Sequence, residues 1–487
     1  MFYTSTRDTG IKLSSAEAIK QGISNDGGLF MPLELAKINY KKLIGLDYSE
    51  IAAAVLAPYL TDYNNLPEIA RAAYSSENFP DGAARVKKIT DKISVLELYH
   101  GPTSAFKDMA LQIMPRLLLE SFKITDEKRR ALILVATSGD TGKAALDGCK
   151  NLDNINALVF YPKDGVSKIQ ELQMTTQEGD NLEVCAVSGN FDNCQTGVKK
   201  IFADKNIQAQ LEKSGVFFSS ANSINFGRLI PQVIYYYFAY LKMLESGEIK
   251  NGEAIDISVP TGNFGNILAA YFAKKMGLPI ANLICASNIN NILTDFLDTG
   301  AYDTRREFIR TISPSMDILI SSNLERLLYL LFGSEKNIKY MRDLKDTGRF
   351  ELAPDDKDKI KIEMLGDFCD EESTRRTVKK VFEDYNYLID THTAVAFNCA
   401  EKFEDKYKTG NKMLVVSTAS AYKFAGDVYY SLTGIDCDDS LVKLHELTGV
   451  KIPESLDNLD KKRVKFESCV EVDGMGGYVC EYLGKLK

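Results

Sequence analysis

From residue 93 onward, short apolar runs alternate with stretches of helical periodicity. Residues 93–98, 131–136, 157–161, 182–187, 216–219, 254–259, 283–286 and 413–416 read as strands. The run Ala131-Leu-Ile-Leu-Val-Ala136 is apolar throughout, as a strand is when both faces are covered. Helical character fills the gaps at 106–119, from Lys143, at 167–174 and at 267–276. Alternation of this length implies parallel strands joined by right-handed helical crossovers, and two such sheets meeting at a cleft fit the chain.

Residues 1–92 break that rhythm and read as a separate N-terminal helical domain. Ser14 precedes a helix-favouring run with Glu17 three positions on, a capping-box spacing. Asn25-Asp-Gly-Gly-Leu-Phe-Met-Pro32 is a turn that delivers an apolar segment, and the alanine-rich run 48–60 has the spacing of a packing helix. A second interruption, 331–380, carries Asp355-Asp-Lys-Asp-Lys359 and Glu371-Glu-Ser-Thr-Arg-Arg376 and reads as a peripheral, polar helical insert. Residues 431–487 read as a closing segment, which leaves 93–430 as the central region.

Composition narrows the function classes. The 487 residues exceed what one core supports. A formal net charge of -8 argues against a nucleic-acid or anionic-membrane partner, so an anionic ligand must be met by local cations. Nine cysteines, an odd number with no C-x-x-C pair, point to reduced thiols and a cytoplasmic setting. No apolar leader or membrane-length apolar run is present. Only three histidines occur, far apart at 100, 392 and 445, so no metal site is expected.

Ligands in parallel sheets bind beyond the carboxyl ends of the strands, which directs attention to the loops there. In His100-Gly-Pro-Thr-Ser-Ala-Phe-Lys-Asp108, Lys107 falls at a loop-to-helix junction. A lysine desolvated there loses its proton readily and can form an imine with a carbonyl cofactor. Thr137-Ser-Gly-Asp-Thr-Gly142 offers hydroxyls and a helix start for a carboxylate or phosphate; its Walker spacing is wrong and Ala144 replaces the needed hydroxyl. Thr261-Gly-Asn-Phe-Gly-Asn266 is the better phosphate cradle, with two glycines at a helix N-terminus. Ser417-Thr-Ala-Ser420 presents hydroxyls able to bond a ring nitrogen without protonating it.

Together these motifs strongly resemble the threonine synthase family, enzymes of fold-type II dependent on pyridoxal phosphate. The resemblance extends to Tyr3-x-Ser-Thr-Arg7, Asp26-Gly-Gly-Leu-Phe-Met-Pro32, Asn222-Ser-Ile-Asn-x-x-Arg228, Ser313-Pro-Ser-Met-Asp-Ile318 and Asp390-Thr-His-Thr-Ala-Val395. It implies an α/β fold with two parallel-sheet lobes of the tryptophan synthase β-like type, a helical N-terminal domain and a helical insert. It makes Lys107 the lysine that holds pyridoxal 5'-phosphate and moves protons. It assigns the cofactor phosphate to Gly262, Asn263, Phe264, Gly265 and Asn266, and the pyridine nitrogen to Thr418. Ser138, Gly139, Asp140 and Thr141 fall where the family binds the substrate carboxylate. Analogy and local chemistry add Lys163, Asn225 and Arg228 for the leaving phosphate.

The reaction implied converts the small molecule O-phospho-L-homoserine and water into L-threonine and phosphate, the last step of threonine biosynthesis. Monomer and homodimer both stay open. Ser420 stands where the family often has histidine, Tyr422 where it has a small residue, Ser104 for leucine and Asn266 for aspartate. Those departures keep two alternatives in view. One is a phospho-lyase of the same fold that ends at 2-oxobutyrate, ammonia and phosphate; the other is a cofactor-binding regulatory protein without turnover.

Overall fold

The computed structural model describes residues 1–137 and 139–486. Six strands form one sheet in the order Leu365–Phe368, Ile280–Ser287, Ile255–Pro260, Lys412–Ser417, Ile93–Glu97, Arg85–Lys88. All run parallel except Arg85–Lys88, which pairs antiparallel with Ile93–Glu97. A second sheet holds five parallel strands in the order Ser468–Glu471, Leu182–Ser188, Ile155–Pro162, Arg130–Ala136, Val216–Ser219. Every apolar run read as a strand lies in one of these sheets. The central strands are buried along nearly their whole length, as parallel sheets covered by helices on both faces require.

Within these two sheets three strands escape periodicity: Arg85–Lys88, Leu365–Phe368 and Ser468–Glu471. Each lies at a sheet edge, where short, polar strands discourage pairing with other chains and leave no apolar signature. Their positions change the picture of the flanking segments. The end of the 1–92 segment, the 331–380 insert and the 431–487 segment each add an edge strand to a sheet. The insert, expected to be helical and peripheral, therefore completes the six-stranded sheet.

Near the N-terminus, the Ser14–Glu17 capping box opens helix Ser15–Gln21, and an Asp47–Glu50 box opens Tyr48–Leu56. That second helix stops short of residue 60 because Pro58 has no N–H to continue it. A small antiparallel pair, Tyr3–Ser5 with Phe30–Pro32, adds strand to a segment read as a helical domain. It is tied inward by Arg7, whose guanidinium grips both oxygens of Glu325 at 2.9 and 2.8 Å.

The helix expected over 106–119 is two pieces, Asp108–Leu111 and Met114–Ile124. Pro115 causes the break: it lacks the N–H that would bond Leu111 O, four residues back. The short first piece leaves Lys107 at its start and packs against helix Asp140–Cys149 at Gly148. Among the described residues no helix is long and apolar enough to cross a membrane.

Candidate active site

Parallel pairing of Ile93–Glu97 with Lys412–Ser417 carries the loops that follow them into contact. Phe106 N donates to Thr418 O at 2.8 Å and Ser420 N to Ser104 O at 3.1 Å, so the backbone itself sets Lys107 beside Thr418. Ile255–Pro260 flanks Lys412–Ser417 on its other side and brings the 261–265 loop alongside. The second sheet supplies Asp140, at the start of the helix after Arg130–Ala136.

Lys107 is buried, its side chain 11% exposed, and its Nζ donates to Asp140 Oδ2 at 3.0 Å and Ser315 Oγ at 3.3 Å. The other oxygen of Asp140 lies 2.9 Å from Lys423 Nζ and accepts from Gln170 Nε2 at 3.0 Å. Burial lowers the proton affinity of Lys107; Asp140 opposes that, and the charges of Lys423 and Arg228 add to the lowering. The net shift is downward, toward the free amine that a nucleophile needs. Burial disfavours ionised Asp140, but two lysines and an amide outweigh it and hold the carboxyl well below its usual range. Asp140, expected beside a substrate carboxylate, is thus an anion spent on two cations; its side chain serves the lysines, and only its backbone is left for an anionic ligand.

His392 sets the position of Ser315. Its Nε2 accepts from Ser315 N at 3.1 Å, which leaves Nδ1 as the N–H facing Asp390 Oδ1 at 3.0 Å. A lone histidine in Asp390-Thr-His-Thr thereby supports the loop that meets Lys107.

The 261–265 loop has the features of an anion cradle. A Cβ on Gly262 would lie 2.6 Å from Ser315 O, so only glycine fits there. Gly262 O accepts from Ser321 Oγ at 2.6 Å, and Asn263 O from Asn323 N and Nδ2 at 3.2 and 3.1 Å. Phe264 is held in the left-handed region at φ 64° and starts helix Gly265–Lys275 with no side-chain cap, which leaves the first N–H groups for a ligand. Asn266 Oδ1 accepts from the hydroxyls of Tyr235 and Tyr236, both at 2.6 Å, and its Nδ2 is a buried donor with no bond among the described residues. These groups fit a phosphate monoester, and Lys107 beside them fits an aldehyde.

The remaining candidates divide. Arg228 is buried and donates to Ala221 O at 2.6 Å, while its Nε has no partner among the described residues. Burial alone lowers its affinity for the proton, to about 10. A buried guanidinium with spare donors near Lys107 is a place for an anion. Asn225 spends its amide on Ile19 O at 3.0 Å and Gly227 N at 2.9 Å, capping the helix that carries Arg228. Lys163 is exposed on the turn after Ile155–Pro162. Gly139 has φ 131° and donates to Thr137 Oγ1; Thr141 is half-buried on the helix that follows. Ser138 lies outside the described residues. Sequence reading missed Lys423, Gln170, Gln173 and Ser315. Ser315 sat within the Ser313–Ile318 motif and Lys423 directly after Tyr422, but the glutamines carried no local signal.

Asp108, next to Lys107, adds a pH dependence. Its oxygens accept from Thr103 N and Oγ1 at 2.8 and 2.6 Å. Burial outweighs those bonds and raises its pKa from 3.8 to about 7. Between those values the folded chain keeps a proton that the unfolded chain releases, so stability falls as pH rises through that window. The Asp108→Asn chain is expected to lose roughly 4 kcal/mol of that dependence, read as the difference between the two chains in urea unfolding at successive pH values. Equal pH slopes would refute the assignment.

Comparison with known proteins agrees with this geometry. A family model described as threonine synthase N terminus matches residues 2–74, and one described as pyridoxal-phosphate dependent enzyme matches 85–346. Threonine synthase-like 1 of Pongo abelii is 39% identical over 447 residues, covering 88% of this chain and 59% of its own length. The chain thus spans less than two thirds of that relative. Threonine synthase of Saccharomyces cerevisiae is 35% identical, with 100% of this chain and 98% of the relative covered. The crystal structure of threonine synthase from Brucella melitensis with pyridoxal phosphate bound superposes with a TM-score of 0.88 at 34% identity, covering 100% and 99% of the two chains. With the glycine loops, the buried lysine and the two-sheet architecture in place, the chain belongs to the threonine synthase family of fold-type II, pyridoxal-phosphate-dependent enzymes.

Proposed function

We propose that this protein is a threonine synthase that converts O-phospho-L-homoserine and water into L-threonine and phosphate. The observation that carries the reading is Lys107 set against the Asp140 carboxylate, within reach of the charge of a buried guanidinium, Arg228, whose Nε has no partner among the described residues. Pyridoxal phosphate, when bound, supplies the electron sink that lets protons leave the carbon atoms next to the amino group. Gly262, Asn263, Phe264, Gly265 and Asn266 would hold its phosphate, and Thr418 would offer its hydroxyl to the ring nitrogen. Lys107 would hold its aldehyde carbon, and the Lys107 amine is the base placed to take the proton from the substrate's α carbon. The Gly139–Thr141 backbone receives the substrate carboxylate and Arg228 its phosphate. Asn225 acts on that phosphate through Arg228, which it positions, and Lys163 is left as an exposed cation.

The altered segment favours no second product. Ser420 Oγ accepts from Tyr422 N at 3.3 Å, and the Tyr422 hydroxyl bonds Val450 O. Both side chains are spent on the local turn and the closing segment rather than directed at the lysine. Incubation of the loaded enzyme with O-phospho-L-homoserine is therefore expected to release threonine and phosphate in equal amounts. Phosphate released with 2-oxobutyrate and no threonine would overturn the reading, as would no turnover. In the same assay Arg228→Leu is expected to raise KM at least about tenfold, the loss of one charge-assisted contact. An unchanged KM would remove Arg228 from the substrate site.

A further inference from the structure

Lys423 is among the most deeply buried cations in the chain, with a side chain 0% exposed. Its ammonium donates to Gln173 Oε1 at 2.7 Å and Thr103 O at 3.0 Å and pairs with Asp140 Oδ1 at 2.9 Å. Three partners from separate segments hold it in place. Among the described residues Lys107 meets Asp140 Oδ2 and Ser315 Oγ, the second long at 3.3 Å. One carboxylate is thus shared between two lysines, Lys423 the more firmly held. The lysines arrive from separate segments, Lys107 ahead of helix Asp108–Leu111 and Lys423 in the turn Ala421–Phe424. Thr103, which Lys423 holds through its carbonyl, donates in turn to Asp108 beside Lys107.

We infer that Lys423 is a positioning residue for the reacting lysine: it holds one oxygen of Asp140 so that the other meets Lys107 Nζ, and by sharing that carboxylate it loosens the grip of Asp140 on Lys107. A lone carboxylate beside Lys107 would hold the ammonium form too tightly for attack on an aldehyde. A second cation on that carboxylate weakens its grip while keeping the geometry. The charged groups facing Lys107 are Asp140, Lys423 and Arg228. Those facing Lys423 are Asp140 in contact, with Asp108 and Lys143 further off. Lys143 is itself engaged with Gln177 and lies 3.6 Å from Asp147, so it does not replace Lys423 on Asp140.

The inference rests on Lys107 being the reacting lysine, and its test reads Lys107 without any turnover. The full-length protein, stripped of cofactor, is trace-acetylated with acetic anhydride across the alkaline range, and labelling of Lys107 is followed by peptide mass spectrometry. Lys423→Met is expected to move the labelling midpoint of Lys107 upward by about one pH unit, because Asp140 then acts on Lys107 alone. Lys423→Arg, which keeps the charge, is expected to restore the midpoint. A wild-type midpoint in folded Lys423→Met protein would overturn the inference, and so would failure of Lys423→Arg to restore it. If Lys423→Met does not fold, the double variant Asp140→Asn with Lys423→Met leaves neither charge uncompensated. Its midpoint must fall below wild type, since the carboxylate in contact with Lys107 is the stronger influence; a midpoint at or above wild type would overturn the inference. A chain that titrates as inferred but forms no bond with pyridoxal phosphate would sink the enzymatic reading and leave only the effect of Lys423 on the Lys107 amine.

Discussion

Lys107→Ala is expected to abolish the visible absorbance of lysine-bound pyridoxal phosphate and to cut turnover by about four orders of magnitude or more. The variant should fold, because Asp140 keeps Lys423 and Gln170 when Lys107 is removed and no uncompensated charge is left behind. The 261–265 loop is also untouched, so added pyridoxal phosphate should still bind without forming a covalent bond. Spectra before and after addition of the cofactor, together with threonine release, check the outcome. A residual visible band would show that another buried amine, Lys423 or Lys143, takes the aldehyde, and the assignment of Lys107 would fall.

Gly148→Ala should be the most damaging substitution of a single hydrogen by a methyl group. A Cβ at this position would lie 1.9 Å from Leu111 O and 2.8 Å from Leu111 C, both backbone atoms that cannot rotate away. Helices Asp140–Cys149 and Asp108–Leu111 would have to separate, at a cost of about 3 kcal/mol or more. The bond from Gln112 Nε2 to Asp147 Oδ1, 2.9 Å, spans the same contact and would go with it. Because one helix carries Asp140 and the other follows Lys107, the separation should also weaken cofactor binding. Urea unfolding and cofactor titration read both effects. Gly484→Ala, with open space around its Cβ in helix Met475–Lys485, is the control and is expected near neutral. Equal midpoints for the two variants would show that the helices tolerate the extra atom.

The central strands could be read from the chain because burial on both faces leaves an unbroken apolar run, as in Arg130–Ala136 and Ile255–Pro260. Of the edge strands only the apolar Val216–Ser219 could be read; Arg85–Lys88, Leu365–Phe368 and Ser468–Glu471 are short and carry no unbroken apolar run. Pro115 was visible throughout, yet its breaking of the 106–119 helix matters only because Gly148 lets another helix meet the carbonyl it leaves.

By itself the sequence determined the alternation of strands and helices, the loops that carry chemistry and the lysine at their centre. These follow from local rules: periodicity, breakers, and glycine where a backbone must approach closely. Only the tertiary structure decided the charges around that lysine. Asp140, Lys423, Ser315 and Arg228 come from segments far apart in the chain, and nothing local to any of them says which will face Lys107. Proton affinity in a buried site depends on distance and desolvation, which the fold creates and a linear chain does not contain.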